Sequence, residues 1–280
     1  MFSLVNNWGQ LSKSHLRSLS ASGLVTAMVI FSNLTSAQDL IDMVDMSTPE
    51  MTEAQLTRAE VVAILEQATE ESPADFTNHR LSGLDLSGLN FKRADMRWLR
   101  LNNSDLSGST MTGVNLDLAW MVGANLENAD LTDARLFSAQ VQRANLKNAI
   151  LDGARVTANF KQSDLRGASF RNADMSADMK NQSMGLMGTV MTSAKADGAD
   201  FTGANLSRLN AEFAKFNNAI LDNADLSGAK LGGSDLTGAS VKGLKLNDTD
   251  VDSARLLSLK HGDAMVGLDQ AVNLNKARTE

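Results

Sequence analysis

A period of five residues dominates the sequence from about residue 74 to residue 256. In the stretch ANLENADLTDARL, alanine stands at Ala124, Ala129 and Ala134, and a leucine follows two residues after each of them. This period matches neither the 3.6 residues of an α-helical turn nor the 2 residues of a strand. One unit is too short to bury its own apolar side chains, so the chain must turn back over itself repeatedly.

A square coil satisfies this period. If each unit turns the chain by about a quarter circle, four units close one coil, and successive coils stack at the strand spacing of about 4.8 Å. The leucines then point inward as stacked rows, and the alanines fill the corners. The three other residues of each unit face water, and they are mostly Asn, Asp, Ser, Thr and Gly, which also favour tight turns. The sequence therefore predicts an all-β solenoid.

The large apolar residue recurs without interruption over Phe76–Val156. The next match is Phe160, only four residues later, so the frame slips by one residue. The segment Ser176–Gly185 breaks the pattern, which resumes around Leu186 and then continues to Leu256. We expect an irregular part of the solenoid near residues 157–185.

Units such as ADLTD, ADLSG, SDLTG, GANLS and ADFTG resemble the pentapeptide repeat, A-(D/N)-L-x-x. The resemblance covers residues 74–256. It implies a right-handed quadrilateral β-helix, often with an N-terminal helix over the first coil. Some members of this family are acidic rods that bind DNA gyrase and confer quinolone resistance.

Segments on both sides of the repeats are predicted to cover the ends of the solenoid. Residues 38–73 contain a linker and a helix, in which Thr57 and Glu60 have the spacing of a capping box and Leu56 and Val61 that of a hydrophobic staple. Residues 257–280 form the predicted C-terminal cap, where GLDQAVNLNKARTE is typical of a short helix.

Residues 1–37 have the pattern of a signal peptide. They contain Lys13, His15 and Arg17 but no acidic residue, then the apolar run GLVTAMVIF, then small residues that end at Ala37. The apolar run is shorter than the ~20 residues that span a bilayer. We expect a periplasmic or secreted chain that begins at Gln38 and has no transmembrane span. The alternative is an uncleaved amphipathic N-terminus.

The sequence indicates no catalytic residues and no cofactor. It has no cysteine, and most acidic residues occupy the position before the large apolar residue, where the repeat itself favours Asp or Asn. A cluster of methionines has two interpretations. It is either a Cu(I) site, because thioethers bind this metal, or a part of the core, because methionine fills irregular gaps. Its residues are Met175, Met179, Met184, Met187 and Met191.

Residues twenty positions apart stack in a regular square coil. Arg100 then lies beside Trp120, Trp98 aligns with Leu118, and Asp117 lies below Phe137 and is within reach of Arg97. Large apolar residues at these outward positions predict an interaction surface. The alternatives are a self-contained aromatic–arginine stack or a cover formed by the N-terminal segment. The candidate patch consists of Arg97, Trp98, Arg100, Leu118, Trp120 and Phe137.

Three functions follow from these features. The first is a non-enzymatic exported interaction module, a rigid acidic rod that binds a protein or envelope partner, with a homodimer as one option for its assembly. The second is DNA mimicry, against which the signal peptide and the arginines Arg80, Arg97, Arg100 and Arg135 argue. The third is Met-rich metal handling. The net charge of −7 makes a nucleic-acid partner the least expected one.

Overall fold

The structure is a computed structural model that describes residues 44–177 and 188–280. The predicted signal peptide and its cleavage site lie outside the described residues. Most of the irregular segment Ser176–Gly185 lies outside them as well.

The backbone pairs with itself in four parallel ladders. In the regular coils each paired residue bonds to the residue twenty positions later, as in the series Asp75, Asp95 and Asn115. We name the four sides of the coil by the residue at which each ladder starts: the first face at Asp75, the second at Arg80, the third at Asp85 and the fourth at Asn90. The predicted square solenoid with five residues per side is therefore confirmed, and its handedness stays an implication of the family resemblance.

Most sides of the coil are too short to count as strands. Among the described residues only β1 (Arg135–Gln140) and β2 (Arg155–Asn159) are extended strands, and they pair in parallel. Elsewhere a single bridging residue alternates with a turn. The residue that closes each turn has a positive φ, which favours Gly and Asn. At Gly123 a Cβ atom would also lie 2.5 Å from Oδ1 of Asn103 in the coil below.

The core consists of the inward rows that the five-residue period predicts. Leu131 and Ala129 are both fully buried, and the same holds along almost the whole solenoid. In the middle of the rod, the rings of Phe170 and Phe201 are stacked with their centroids 5.1 Å apart. A dry core of stacked aliphatic and aromatic side chains is the main stabilising element of the fold.

The predicted frame slip is confirmed by the register. Asn145 pairs with Asp164, nineteen positions later, so one coil is one residue short. In the next coil, Asn159 pairs with Val190, thirty-one positions later. Met175 and Met191 flank the extra residues and are both fully buried. The solenoid therefore accommodates the insertion on one side of a single coil without interrupting its core.

Two helices precede the first coil, α1 (Pro49–Thr52) and α2 (Arg58–Gln67). The predicted capping box is present at the start of α2, where the Thr57 backbone N–H donates to Glu60 Oε2 at 2.7 Å. Val61 is fully buried and belongs to the continuous core of the solenoid. Helix α2 therefore contributes a buried apolar side chain to this core.

The C-terminal segment differs from the predicted short helix. It forms three 3₁₀ turns, Gly262–Ala264, Leu268–Gln270 and Leu274–Lys276, and its backbone continues the ladders. Gly267 and Asn273 have positive φ values and turn the chain at six-residue intervals. In an α-helix the backbone N–H and C=O groups of this segment would bond to each other. Here they bond to the preceding coil instead, so the segment extends the solenoid and does not form the predicted helix. None of the helices among the described residues is long and apolar enough to cross a membrane.

Candidate interaction surface

Residues 44–56 lie across the second face and are named here the N-terminal strap. The Gln55 backbone N–H donates to the Arg80 carbonyl at 2.8 Å. The Asn102 side chain donates to the Met51 carbonyl at 3.1 Å and accepts from the Val122 N–H at 3.0 Å. Hydrogen bonds therefore tie the strap to two successive coils before α2 begins.

The strap covers Trp120. Only 8% of Trp120 is exposed, and the residue packs in a separate apolar cluster with Met51, Val122, Val44 and Met46. The prediction that Trp120 points to water is therefore wrong, and the alternative of a cover from the N-terminal segment describes what the structure has. The physical reason is that an indole on the outer face and three apolar strap residues bury each other.

Trp98 and Leu118 lie at the corner between the first and second faces. Both are half-exposed, and both have left-handed backbones, with φ values of 62° and 64°. The Trp98 N–H donates to the Asp117 carbonyl at 3.1 Å, which places the two corners on adjacent coils. Phe137 lies one coil further along, where its N–H donates to Asp117 Oδ1 at 2.9 Å. We name Trp98, Leu118 and Phe137 together the Trp98 corner.

The predicted pairing of Arg97 with Asp117 is not found. Arg97 instead forms a salt bridge of 2.6 Å with Asp95 on its own coil, and Asp117 forms one of 2.7 Å with Arg135 on the next coil. The hydrogen bonds from Arg97 hold the pKa of Asp95 below its ordinary value. Arg97 and Asp117 lie at the rim of the Trp98 corner, and each therefore already has an oppositely charged partner within the chain.

Arg100 lies next to Trp120 in the second-face ladder, as the twenty-residue offset predicts. It is half-buried and stacks on Arg80 of the coil below. The six predicted patch residues thus separate into the Trp98 corner, a rim arginine paired with Asp95, and a second-face group of Arg100 and Trp120.

Phe213 is an exposed apolar residue that the sequence analysis missed. It is 64% exposed, its φ is 59°, and its ring lies over Gly233 of the next coil. A signal was present, because Phe213 occupies the turn position that elsewhere holds mostly Gly, Asn, Asp or Ser. Two other exposed residues, Ile150 and Ile220, lie on the fourth face.

Acidic residues of the repeat accept hydrogen bonds within their own turns. Asp130 Oδ1 accepts hydrogen bonds from the Thr132 N–H at 2.9 Å and from its hydroxyl at 2.6 Å, and Asp235 does the same with Thr237. Hydrogen bonds from Ser107 likewise lower the pKa of Asp105. Because these carboxylates accept hydrogen bonds within their own turns, their positions are explained by the fold.

The methionine cluster is divided by the limits of the described residues. Met175 and Met191 are core residues, whereas Met179, Met184 and Met187 lie outside the described residues. Within residues 44–177 and 188–280, no three His, Cys, Asp or Glu side chains are grouped so that they could hold a metal ion.

The family model of pentapeptide repeats matches the chain in eight copies. The matched residues are 74–108, 90–128, 111–153, 139–177, 186–223 and 219–256. These ranges cover more than half of the chain and coincide with the solenoid. The chain belongs to the pentapeptide repeat family.

Solved structures of other pentapeptide repeat proteins are similar to this chain at low sequence identity. HetL, a pentapeptide repeat protein involved in heterocyst differentiation regulation in the cyanobacterium Nostoc sp. strain PCC 7120, is 22% identical; the match covers 80% of this chain and 95% of HetL, with a TM-score of 0.40. Full-length QnrB1, a plasmid-mediated fluoroquinolone resistance protein, is 20% identical, with coverage of 72% and 93% and a TM-score of 0.31. A pentapeptide repeat protein from the thylakoid lumen of Arabidopsis thaliana is 23% identical, with coverage of 59% and 70% and a TM-score of 0.22. No curated protein matches the sequence significantly.

Proposed function

We propose that this protein is a non-enzymatic interaction module that is exported and binds a protein partner of the cell envelope through the Trp98 corner. The solenoid supplies a rigid support, because every coil is fixed to its neighbours by backbone hydrogen bonds and by a continuous core. The corner supplies adjacent apolar side chains that are partly exposed on three successive coils. Aromatic residues on rigid supports are typical centres of binding energy.

The observation that carries this proposal is the left-handed backbone at Trp98 and Leu118. Among the described residues, most left-handed positions hold Gly, Asn, Asp or Ser, and only Trp98, Leu118 and Phe213 place a large apolar side chain there. A bulky residue in this conformation costs about 1–3 kcal/mol. Residues that break a local rule of the fold without a compensating contact are typical of functional sites.

We expect Leu118→Asn to preserve or raise stability and to weaken partner binding. Asparagine adopts the left-handed conformation more readily than leucine, so the free energy of unfolding should rise by up to about 1 kcal/mol. The same change removes apolar contact area at the corner, and affinity for the partner should drop at least about tenfold. Denaturant unfolding and quantitative capture from envelope extract measure the two effects.

Asn128→Leu is the matched control, because it makes the reverse change at another left-handed turn. It should lower stability by about 1 kcal/mol and leave partner capture unchanged. If Leu118→Asn captures the partner as well as the unchanged protein does, the Trp98 corner is not the binding surface.

Export rests on the basic and apolar pattern of residues 1–37. We expect cell fractionation to recover the protein in the periplasm or the medium, with Gln38 as its first residue. Recovery of the full-length chain in the cytoplasm would contradict export and would favour DNA mimicry instead, since gyrase is a cytoplasmic target.

A further inference from the structure

Arg80 and Arg100 form a pair of like charges on the second face. Their backbones bridge directly, so the two side chains leave adjacent coils in the same direction. Both residues are half-buried, and the Nε atom of each is buried without a hydrogen-bond partner. Among the described residues, neither guanidinium belongs to a salt bridge or donates a side-chain hydrogen bond.

Three other cations on the solenoid have a carboxylate within reach in the coil below. Lys245 lies 3.4 Å from Asp225, Arg255 lies 3.4 Å from Asp235, and Arg135 reaches Asp117. At the second face the neighbour of Arg100 on the far side is Trp120, which carries no charge. A carboxylate one coil away therefore neutralises a cation at these positions, and within the described coils Arg80 and Arg100 lack such a partner.

The strap compensates the charge of this pair only in part. Burial and the adjacent Arg80 lower the pKa of Arg100, and Glu50 of the strap opposes this effect by attraction alone. A buried donor without an acceptor destabilises the fold, and two adjacent cations repel each other. An oxyanion between the guanidinium groups would remove both costs, because each planar fork can donate two parallel hydrogen bonds to it.

We propose that Arg80 and Arg100, beside the N-terminal strap, form a binding site for a tetrahedral oxyanion of the phosphate or sulfate type. The site lies around the edge of the coil from the Trp98 corner and does not depend on the function proposed for that corner. Binding joins two adjacent coils to one anion, so the anion stabilises the N-terminal end of the solenoid.

The test compares the protein in inorganic phosphate, in sulfate and in sodium chloride at equal ionic strength. Phosphate, sulfate or both should raise the thermal midpoint saturably above its value in chloride, since a ligand that binds the native state stabilises it. Arg100→Gln should raise the anion concentration that gives half of this response at least about tenfold, because the variant lacks charge-assisted hydrogen bonds to the anion. Arg155→Gln, which removes an exposed arginine of the first face, should leave the response unchanged.

A larger response to phosphate than to sulfate, or the reverse, identifies which of the two anions the site prefers. In chloride alone, Arg100→Gln should be at least as stable as the unchanged protein, because it relieves the repulsion with Arg80. If this variant does not fold, Arg80→Gln and Arg100→Lys provide the same comparison. Equal midpoints in all three salts, or an equal response of Arg100→Gln, would overturn the proposal.

Discussion

Replacing Leu131 with aspartate should destabilise the protein by about 3–5 kcal/mol, because the variant places an unpaired charge in a dry core. Leu131 is 0% exposed, and the inward residues of the adjacent coils in its row, Met111 and Leu151, are also fully buried. Within the described solenoid this row is surrounded by buried apolar side chains, so the carboxylate lacks partners that would compensate its loss of hydration. Chemical denaturation followed by circular dichroism measures the change in the free energy of unfolding.

Asp133→Asn is the matched control two residues away. Asp133 is exposed and has a φ of 57°, a conformation that asparagine also adopts readily. The control should cost less than about 0.5 kcal/mol. Similar losses for Leu131→Asp and Asp133→Asn would contradict the assignment of inward and outward positions.

Trp120→Ser should cost about 3 kcal/mol and release the N-terminal strap, because the indole is the largest member of the cluster that holds the strap on the second face. Its loss leaves Met51 and Val122 without their main apolar neighbour. Denaturant unfolding measures the stability, and hydrogen exchange of residues 44–56 measures the release. The core of the solenoid is separate from this cluster, so release should be local and the solenoid should stay folded.

Trp98→Asn is the control for this prediction, since it also removes a tryptophan but at a half-exposed, left-handed corner. It should leave exchange in the strap unchanged and should not lower stability. The role of Trp120 as the anchor of the strap would be refuted if Trp120→Ser left both stability and exchange in residues 44–56 as they are in the unchanged protein.

The inward rows could be predicted from the sequence because a five-residue period with one large and one small apolar residue fits few backbones. The slip before Phe160 was visible for the same reason, since a single missing residue moves every later leucine. The capping box at Thr57 and Glu60 could be predicted because its two hydrogen bonds are local. These features depend on contacts that the repeat itself brings together.

Two features could not be predicted in this way because they depend on contacts outside the period. The burial of Trp120 requires the strap, which precedes the repeats by many residues and whose path no spacing rule fixes. The C-terminal segment carries apolar residues at helix-like intervals, but the open edge of the preceding coil offers backbone partners and converts it into a further coil. The pairing of Arg97 differs for a local reason, because Asp95 lies only two residues away on the same turn.

Site-specific photo-crosslinking from position 118 tests the proposed function most directly. A photoreactive residue at Leu118 should give a discrete adduct with an envelope protein in the cells that produce the chain, and Trp98→Asn in the same chain should abolish it. The same probe at Asn218, an exposed left-handed turn distant from the Trp98 corner, should give no such adduct. The opposite result, no adduct from position 118 or the same adducts from positions 118 and 218, would contradict the assignment of the Trp98 corner as the binding surface.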